Sequence, residues 1–343
     1  MKNNKKNNPL FLFSFLLLTY LFLIPLVLKF IVENNYFSTK SSAELGDTIG
    51  GITNPFIGSA AVIVTFAAFY IQYAFNLKQN KIIKKQRQEY AKDKFDRKFS
   101  ELLKIQVENV REFNIDNRIY GRKTFVHMLN ELKIIHKVVN FYCGIPDQNF
   151  ITNIFNREDF AYMIFFNGLD VETNYDFLYQ NLNDVEKQIL KNVFHKLFEI
   201  QLNYIKNKKD ILVYKDDVIG FIEFSYYPFD GHSHRLGHYY RNLHNFIEII
   251  DKEKIISYHE KKQYVDLIRA QLSDYEQALL YCNSTSWFFD QWERFFEEYT
   301  LIKNLRRDFV SFTISPEIIF KEHIERMKFK NIKMFEWVNL DKL

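Results

Sequence analysis

Nineteen consecutive residues without a charge, Leu10 to Leu28 (LFLFSFLLLTYLFLIPLVL), place the strongest constraint on what this chain can become. Nine are leucine and four are phenylalanine. At roughly −0.3 to −0.6 kcal/mol each on an insertion scale, such residues favour lipid over water by several kcal/mol in sum. A helix of this length also rises about 30 Å, the thickness of a bilayer's hydrocarbon core. A cleaved signal peptide usually has a shorter apolar core and a small-residue cleavage site soon after it, and neither is present. A second uncharged stretch, Pro55 to Phe75 (PFIGSAAVIVTFAAFYIQYAF), is less apolar. Alone it would also suit a buried helix of a soluble domain. Its place after a strong span, and the basic run behind it, favour a second span.

The distribution of Lys and Arg gives an orientation. Lys2, Lys5 and Lys6 precede the first span, and Lys29 ends it. The connection from Glu33 to Asn54, read as a loop, has Lys40 as its one basic residue, opposed by Glu33, Glu44 and Asp47. Beyond the second span come Lys78, Lys81, Lys84, Lys85, Arg87, Lys92, Lys94, Arg97 and Lys98. Positive residues stay on the cytoplasmic side, so both termini are expected there, in a multi-pass protein of the inner (cytoplasmic) membrane. The basic stretch, Lys78, Lys81, Lys84, Lys85 and Arg87 first, is expected to face anionic lipid, which is favoured over nucleic acid as its partner. Gly58, Ala61, Thr65 and Ala68 share one face of the second span. Small residues let two membrane helices approach closely, either within a hairpin with the first span or in a homo-oligomer.

The remainder reads as helical. The chain has 36 Phe and 21 Tyr against 10 Gly and 6 Pro, a balance that favours long helices over turn-rich β architecture. Phe95, Phe99, Leu102, Leu103, Val110 and Phe113 follow the 3.6-residue period, with a break at Asn114 to Asn117. Further helices are expected at Lys123–Asn140, Val185–Asn207 and Tyr239–Asp251. The first has an apolar stripe of Phe125, Leu129, Leu132, Ile135 and Val139, with His136 beside it. CGIPDQN (Cys143 to Asn149) reads as a turn, and DILVYKDD (Asp210 to Asp217) as the one good strand candidate. Ser257 and Glu260 fit a capping box. The helix they open is expected to run to about Cys282, with Arg269, Glu276 and Asn283 on one face. The organisation expected is mainly α. Residues 1–77 form a two-span transmembrane hairpin (about 10–32 and 55–76), 78–113 a basic helical stalk, and 114–343 a helical cytoplasmic domain. Two distant cysteines, Cys143 and Cys282, exclude a disulfide framework.

Three segments, GDTIGGITNPFIGSAAVIVTFAAFYIQ, LGHYYRNLHNFIEIID and YVDLIRAQLSDYEQALLYCNS, resemble the AbiC-like family of phage abortive infection proteins of bacteria. They lie in the family's order and span the second apolar stretch, the stalk and the centre of the soluble part. The resemblance implies a role in defence, in which the infected cell is arrested or sacrificed so that phage multiplication fails. It implies no established reaction and no cofactor. Carried over by position, the polar residues are His238, Tyr240, Arg241, Arg269, Glu276 and Asn283, and the expected partner is an unidentified phage or host component.

Two other chemistries compete for the histidine-rich stretch DGHSHRLGHYYRNLHNF (Asp230 to Phe246). Three histidines, His232, His234 and His238, could hold zinc. Metallohydrolases, however, place an Asp directly before the last His, where this chain has Gly237. No metal site is therefore expected. A ribonuclease of the HEPN pattern needs an Arg and a His about five residues apart, the Arg to stabilise phosphorane charge and the His to move a proton. Arg122 and His127 have that spacing, and Arg241 with His244 are too close. A membrane-tethered ribonuclease toxin thus stands as the alternative to a non-enzymatic defence protein. The preferred reading of the stretch is a turn bracketed by Gly231 and Gly237, then a helix whose polar face meets the Arg269 and Glu276 face.

Overall fold

The computed structural model describes residues 41–143, 157–169, 183–206, 210–214, 217–222, 224–286, 289–329 and 333–338, together with eleven scattered residues between Phe15 and Glu33. The chain divides into two units, Met1–Ala91 and Lys92–Leu343. The architecture is mainly helical.

In the first unit the described residues between Phe15 and Glu33 are helical. The Tyr20 hydroxyl donates to the Phe56 carbonyl (3.0 Å) and adjoins Ser59, and its ring lies 5.6 Å from that of Phe56. The rest of the first apolar stretch, the amino-terminal lysines and Lys40 lie outside the described residues. The helix that follows, α1 (Ser42–Glu112), is 71 residues long. It begins well before Pro55, so the loop expected up to Asn54 is instead helical from Ser42. The Glu44 carboxylate accepts from the Ser41 amide (3.0 Å) and so satisfies a free donor at the start. Thr48, Thr53 and Ser59 turn their hydroxyls onto carbonyls four residues back, which lets residues of loop-like composition continue the helix through Pro55.

Among the described residues α1 is the one helix long and apolar enough to cross a membrane, and none of its apolar window is buried. Ile57, Val62, Val64, Phe66, Phe69, Tyr73 and Phe75 are all more than half exposed. Apolar side chains around the whole circumference of a helix need a non-aqueous neighbour. Lys78, Lys81, Lys84, Lys85 and Arg87 are exposed further along, as are Gly58, Ala61, Thr65 and Ala68.

In the second unit the end of α1 becomes amphipathic. Phe95 and Phe99 are buried against Tyr264 and Phe246, and Lys92 pairs with Glu260 at 2.5 Å. The helix ends where expected. Strands β1 (Asn114–Ile115) and β2 (Ile119–Tyr120) pair antiparallel across Asp116 and Asn117, both at positive φ (51° and 53°), as a tight hairpin turn demands. Then come α2 (Lys123–Cys143), α3 (Arg157–Asn167), α4 (Asp184–Ile205), the antiparallel pair β3 (Asp210–Tyr214) and β4 (Asp217–Ile222), and α5 (Ser233–Lys252). The chain continues with α6 (Tyr258–Arg269), α7 (Asp274–Ser284), α8 (Phe289–Tyr299), a 3-10 turn (Arg307–Val310), α9 (Pro316–Ile319) and α10 (Lys321–Phe329). The core forms around α2, whose Phe125, Met128, Leu129, Leu132, Ile135 and Val139 are fully buried. His136 is buried too, edge-on to Phe312, and burial lowers its pKa to about 4. Most of the segment Cys143 to Asn149 lies outside the described residues.

Three corrections to the sequence expectations follow. First, the helix from Ser257 does not reach Cys282. It ends at Arg269, and a second helix starts at Asp274 with its own capping box, Ser273 and Glu276. Second, α5 starts at Ser233 rather than Tyr239, so Gly237 is a helix residue and not the end of a turn. Third, the strand at Asp210 has a partner, β4, that its weak alternation did not reveal. Gly231 keeps its role as a turn (φ +83°), for a reason of packing. Its backbone crosses that of Gly168 (φ +87°) so closely that a Cβ on Gly231 would lie 2.7 Å from the Asn167 carbonyl carbon. The His232 amide donates to the Phe166 carbonyl (2.9 Å) and the Leu169 amide to the Phe229 carbonyl (3.1 Å), fixing the start of α5 against the end of α3.

Candidate functional site: a cleft on α3, α5, α7 and α8

Helix α5 buries Leu236, Tyr239, Tyr240, Leu243, Phe246, Ile247 and Ile250 along one stripe. On one side of that stripe the helices leave a cleft of about 530 Å³. It is lined by Phe166 from α3, Tyr240, Arg241 and His244 from α5, Asn283 from α7 and Trp292 from α8. Asn283 is 3% exposed and joins three helices. Its amide donates to the Tyr162 hydroxyl on α3 (2.8 Å), and its carbonyl accepts from the Trp292 indole on α8 (3.0 Å). The Tyr240 hydroxyl is closed off from solvent beside that of Tyr162. Burial, first of all, pushes the Tyr240 pKa well above the ordinary phenol value.

Arg241 is exposed. Its Nε donates to the Gly237 carbonyl (3.1 Å) and its Nη2 lies 3.4 Å from His238 Nδ1, and among the described residues it has no carboxylate partner. The His244 ring packs on Trp292 and Phe295, with Nε2 3.2 Å from the Gln291 carbonyl. Among the described residues that line the cleft, none is acidic.

The other expected residues lie elsewhere. His238 lines a second cleft of about 500 Å³, with His234, Arg235 and Asn109. Arg269 pairs with Asp266 (2.8 Å) and donates to Thr300, which fastens the end of α6 to the segment after α8. Glu276, its side chain 1% exposed, accepts from the Ser273 amide (2.8 Å), the Ser273 hydroxyl (2.6 Å) and the Tyr239 hydroxyl (2.9 Å). With the helix broken between them, Arg269 and Glu276 do not form the shared face that a continuous helix would give. The buried Tyr239, not the polar face of α5, makes the joint to Glu276.

Arg122 and His127 are not brought together on a common target. The Arg122 guanidinium donates to the Gln271 carbonyl (2.6 Å) and lies 3.7 Å from Glu276. His127 faces Ser225 and Tyr226, and burial lowers its pKa. Among the described residues no group of three or more His, Cys, Asp or Glu is placed to hold a metal ion. Cys143 and Cys282 are separate buried thiols, pushed up by burial to about 11 and about 12. Sequence reasoning missed Tyr162 and Trp292, the partners of Asn283. Trp292 could have been suspected, because a buried indole N–H needs an acceptor. Nothing marks Tyr162 out in its apolar run.

The fold and the site thus define a mainly helical protein that combines an exposed apolar helix with a cleft between helices. Over residues 231–310 the chain matches the family model described as putative phage abortive infection protein. That match takes in α5 to α8 and all six residues carried over by position, and it does not include the second apolar stretch or the stalk. No curated protein and no solved structure matches the chain.

Proposed function

We propose that this chain is a membrane-anchored bacterial defence protein that acts by abortive infection, engaging a phage or host component through the α5–α8 surface. The match over residues 231–310 carries this reading, because those residues build most of the cleft. Two spans at about 10–32 and 55–76 would hold both termini on the cytoplasmic side of the inner membrane, with the helical domain there. The uncovered apolar band of α1 and the Tyr20–Phe56 contact support such an anchor. The exposed lysines of 78–87 suit anionic headgroups. The small-residue face of Gly58, Ala61, Thr65 and Ala68 suits a close helix neighbour, in a hairpin or a homo-oligomer. A ribonuclease reading has less support, since Arg122 and His127 turn to different partners.

The test is a plaque assay with membrane fractionation alongside. Arg241→Gln should abolish protection while the protein still sediments with membranes. Full protection by this variant, or a wild-type chain found in the soluble fraction, would overturn the proposal. Loss of cellular RNA during infection that depends on both Arg122 and His127 would replace it with the nuclease.

A further inference from the structure

The cleft on α3, α5, α7 and α8 has the make-up of an anion site. From it we infer that it binds a small organic phosphate monoester, with Arg241 as the anchor. Two observations carry this.

The guanidinium is held, and among the described residues no carboxylate neutralises it. Nε is tied to the Gly237 carbonyl and Nη2 is steadied by His238 Nδ1, which leaves Nη1 and one N–H of Nη2 for a ligand. Paired guanidinium N–H groups match two oxygens of a phosphate. The second is the lining. It offers further donors in Ser233 and Asn245, and no described lining residue is acidic.

Size argues for more than a bare ion. At about 530 Å³ the cleft falls in the range of sites for small organic ligands, about 300–1,000 Å³. Phe166 and Trp292 give it an aromatic wall for the ligand's body. A phosphate is favoured over a carboxylate because donors come from several residues, Arg241, Ser233 and Asn245, and a tetrahedral group has oxygens to meet them. His238 acts here as a positioning residue, since it touches Arg241 rather than the cleft.

The inference rests on the reading that this surface is where the protein is engaged, and its test is separate from protection. The full chain, purified in detergent micelles, is titrated calorimetrically with phenyl phosphate, inorganic phosphate, benzoate and phenol. Phenyl phosphate should bind saturably and more tightly than the other three. Arg241→Gln should weaken it about tenfold or more, the loss of one charge-assisted hydrogen-bond pair. Arg241→Lys should recover part of that loss. Arg241→Gln should not lower thermal stability, because Arg241 is exposed. No saturable binding of phenyl phosphate, equal affinity for benzoate, or unchanged affinity in Arg241→Gln would each overturn the assignment. If binding fails while Arg241→Gln still loses protection, only the ligand is wrong. If binding holds while the variant protects fully, the surface is a phosphate site that defence does not use.

Discussion

Replacing Glu276 by Ala should cost the second unit about 3 kcal/mol. The carboxylate caps α7 through the Ser273 amide and hydroxyl, and it receives the Tyr239 hydroxyl, all with its side chain 1% exposed. Loss of the capping interaction costs about 1 kcal/mol, and a stranded buried hydroxyl about 1–3 kcal/mol more. The Arg122 contact adds little, because that guanidinium is half exposed and solvent screens it. For a unit of this size about 3 kcal/mol lowers the melting temperature by roughly 6–12 °C. Glu276→Gln keeps one acceptor oxygen and should lose about half as much. The decisive measurement is a double-mutant cycle with Tyr239→Phe, followed by tryptophan fluorescence during thermal unfolding. With the hydroxyl already gone, Glu276→Ala should cost about 1–2 kcal/mol less than it does alone. A midpoint within a degree of the wild type, or two fully additive substitutions, would refute the account. The outcome bears on function as well. Lost protection in a Glu276 variant would report a damaged fold, so Arg241, exposed and without a carboxylate partner among the described residues, is the cleaner probe.

Three further outcomes are expected. His136 stays neutral in the folded chain down to about pH 4, whereas the unfolded chain takes up its proton near 6.5. Stability should therefore be full above about pH 6.5 and fall progressively, by about 3 kcal/mol, as the pH is lowered to 4. In urea titrations His136→Leu should flatten that fall, and an equally steep fall in the variant would count against it. Asn283→Leu strands both the Tyr162 hydroxyl and the Trp292 indole, and it should cost about 2–4 kcal/mol by the same titration. Gly231→Ala places a Cβ 2.7 Å from the Asn167 carbonyl carbon at a φ of +83°, so it should yield little folded protein. Gly237→Ala meets only Phe166 at 3.8 Å, inside a helix, and should be neutral or stabilising by up to about 1 kcal/mol.

Much of this fold was legible because local patterns decide it. The stripe Phe125 to Val139 gives α2, Asn114 to Asn117 gives the turn after α1, and Ser257 with Glu260 gives the start of α6. The break between α6 and α7 was hidden because the apolar period of Val265, Ile268, Leu272, Tyr275 and Leu279 continues through it. Yet the signal was there. Ser273 stands three residues before Glu276, the same spacing as Ser257 and Glu260, and it marks a second helix start. The start of α5 was harder. His232 caps it without a side-chain bond, and the start is set instead by the distant Phe166 carbonyl. The cleft was legible only in part. Tyr240, Arg241 and Asn283 were picked out by resemblance, but Tyr162 and Trp292 reach Asn283 from two other helices. Contacts of that range leave no local trace.

The histidine-rich stretch shows how a helix scatters residues that a sequence gathers. His232 lies before the first turn of α5, 3% exposed, with Nε2 3.3 Å from the fully buried Glu131 and its ring 4.9 Å from Phe165. Glu131 also receives the Phe229 amide (3.2 Å) and the Tyr226 hydroxyl, so this histidine belongs to the joint between α2 and the entry to α5. His234 and His238, four apart, share a face and line the second cleft. His244 turns to the first cleft, against Trp292. A metal needs nitrogens that converge within about 2 Å of one point, whereas these four serve a buried joint, one cleft and the other. What the stretch does concentrate is the placement of Arg241. The crossing at Gly231 sets where α5 begins, the Gly237 carbonyl and His238 steady the guanidinium, and Tyr240 and His244 flank it. The histidines nearest the candidate site therefore act by orienting and walling a cation, which is why an anion, rather than a metal, is the ligand this arrangement suits.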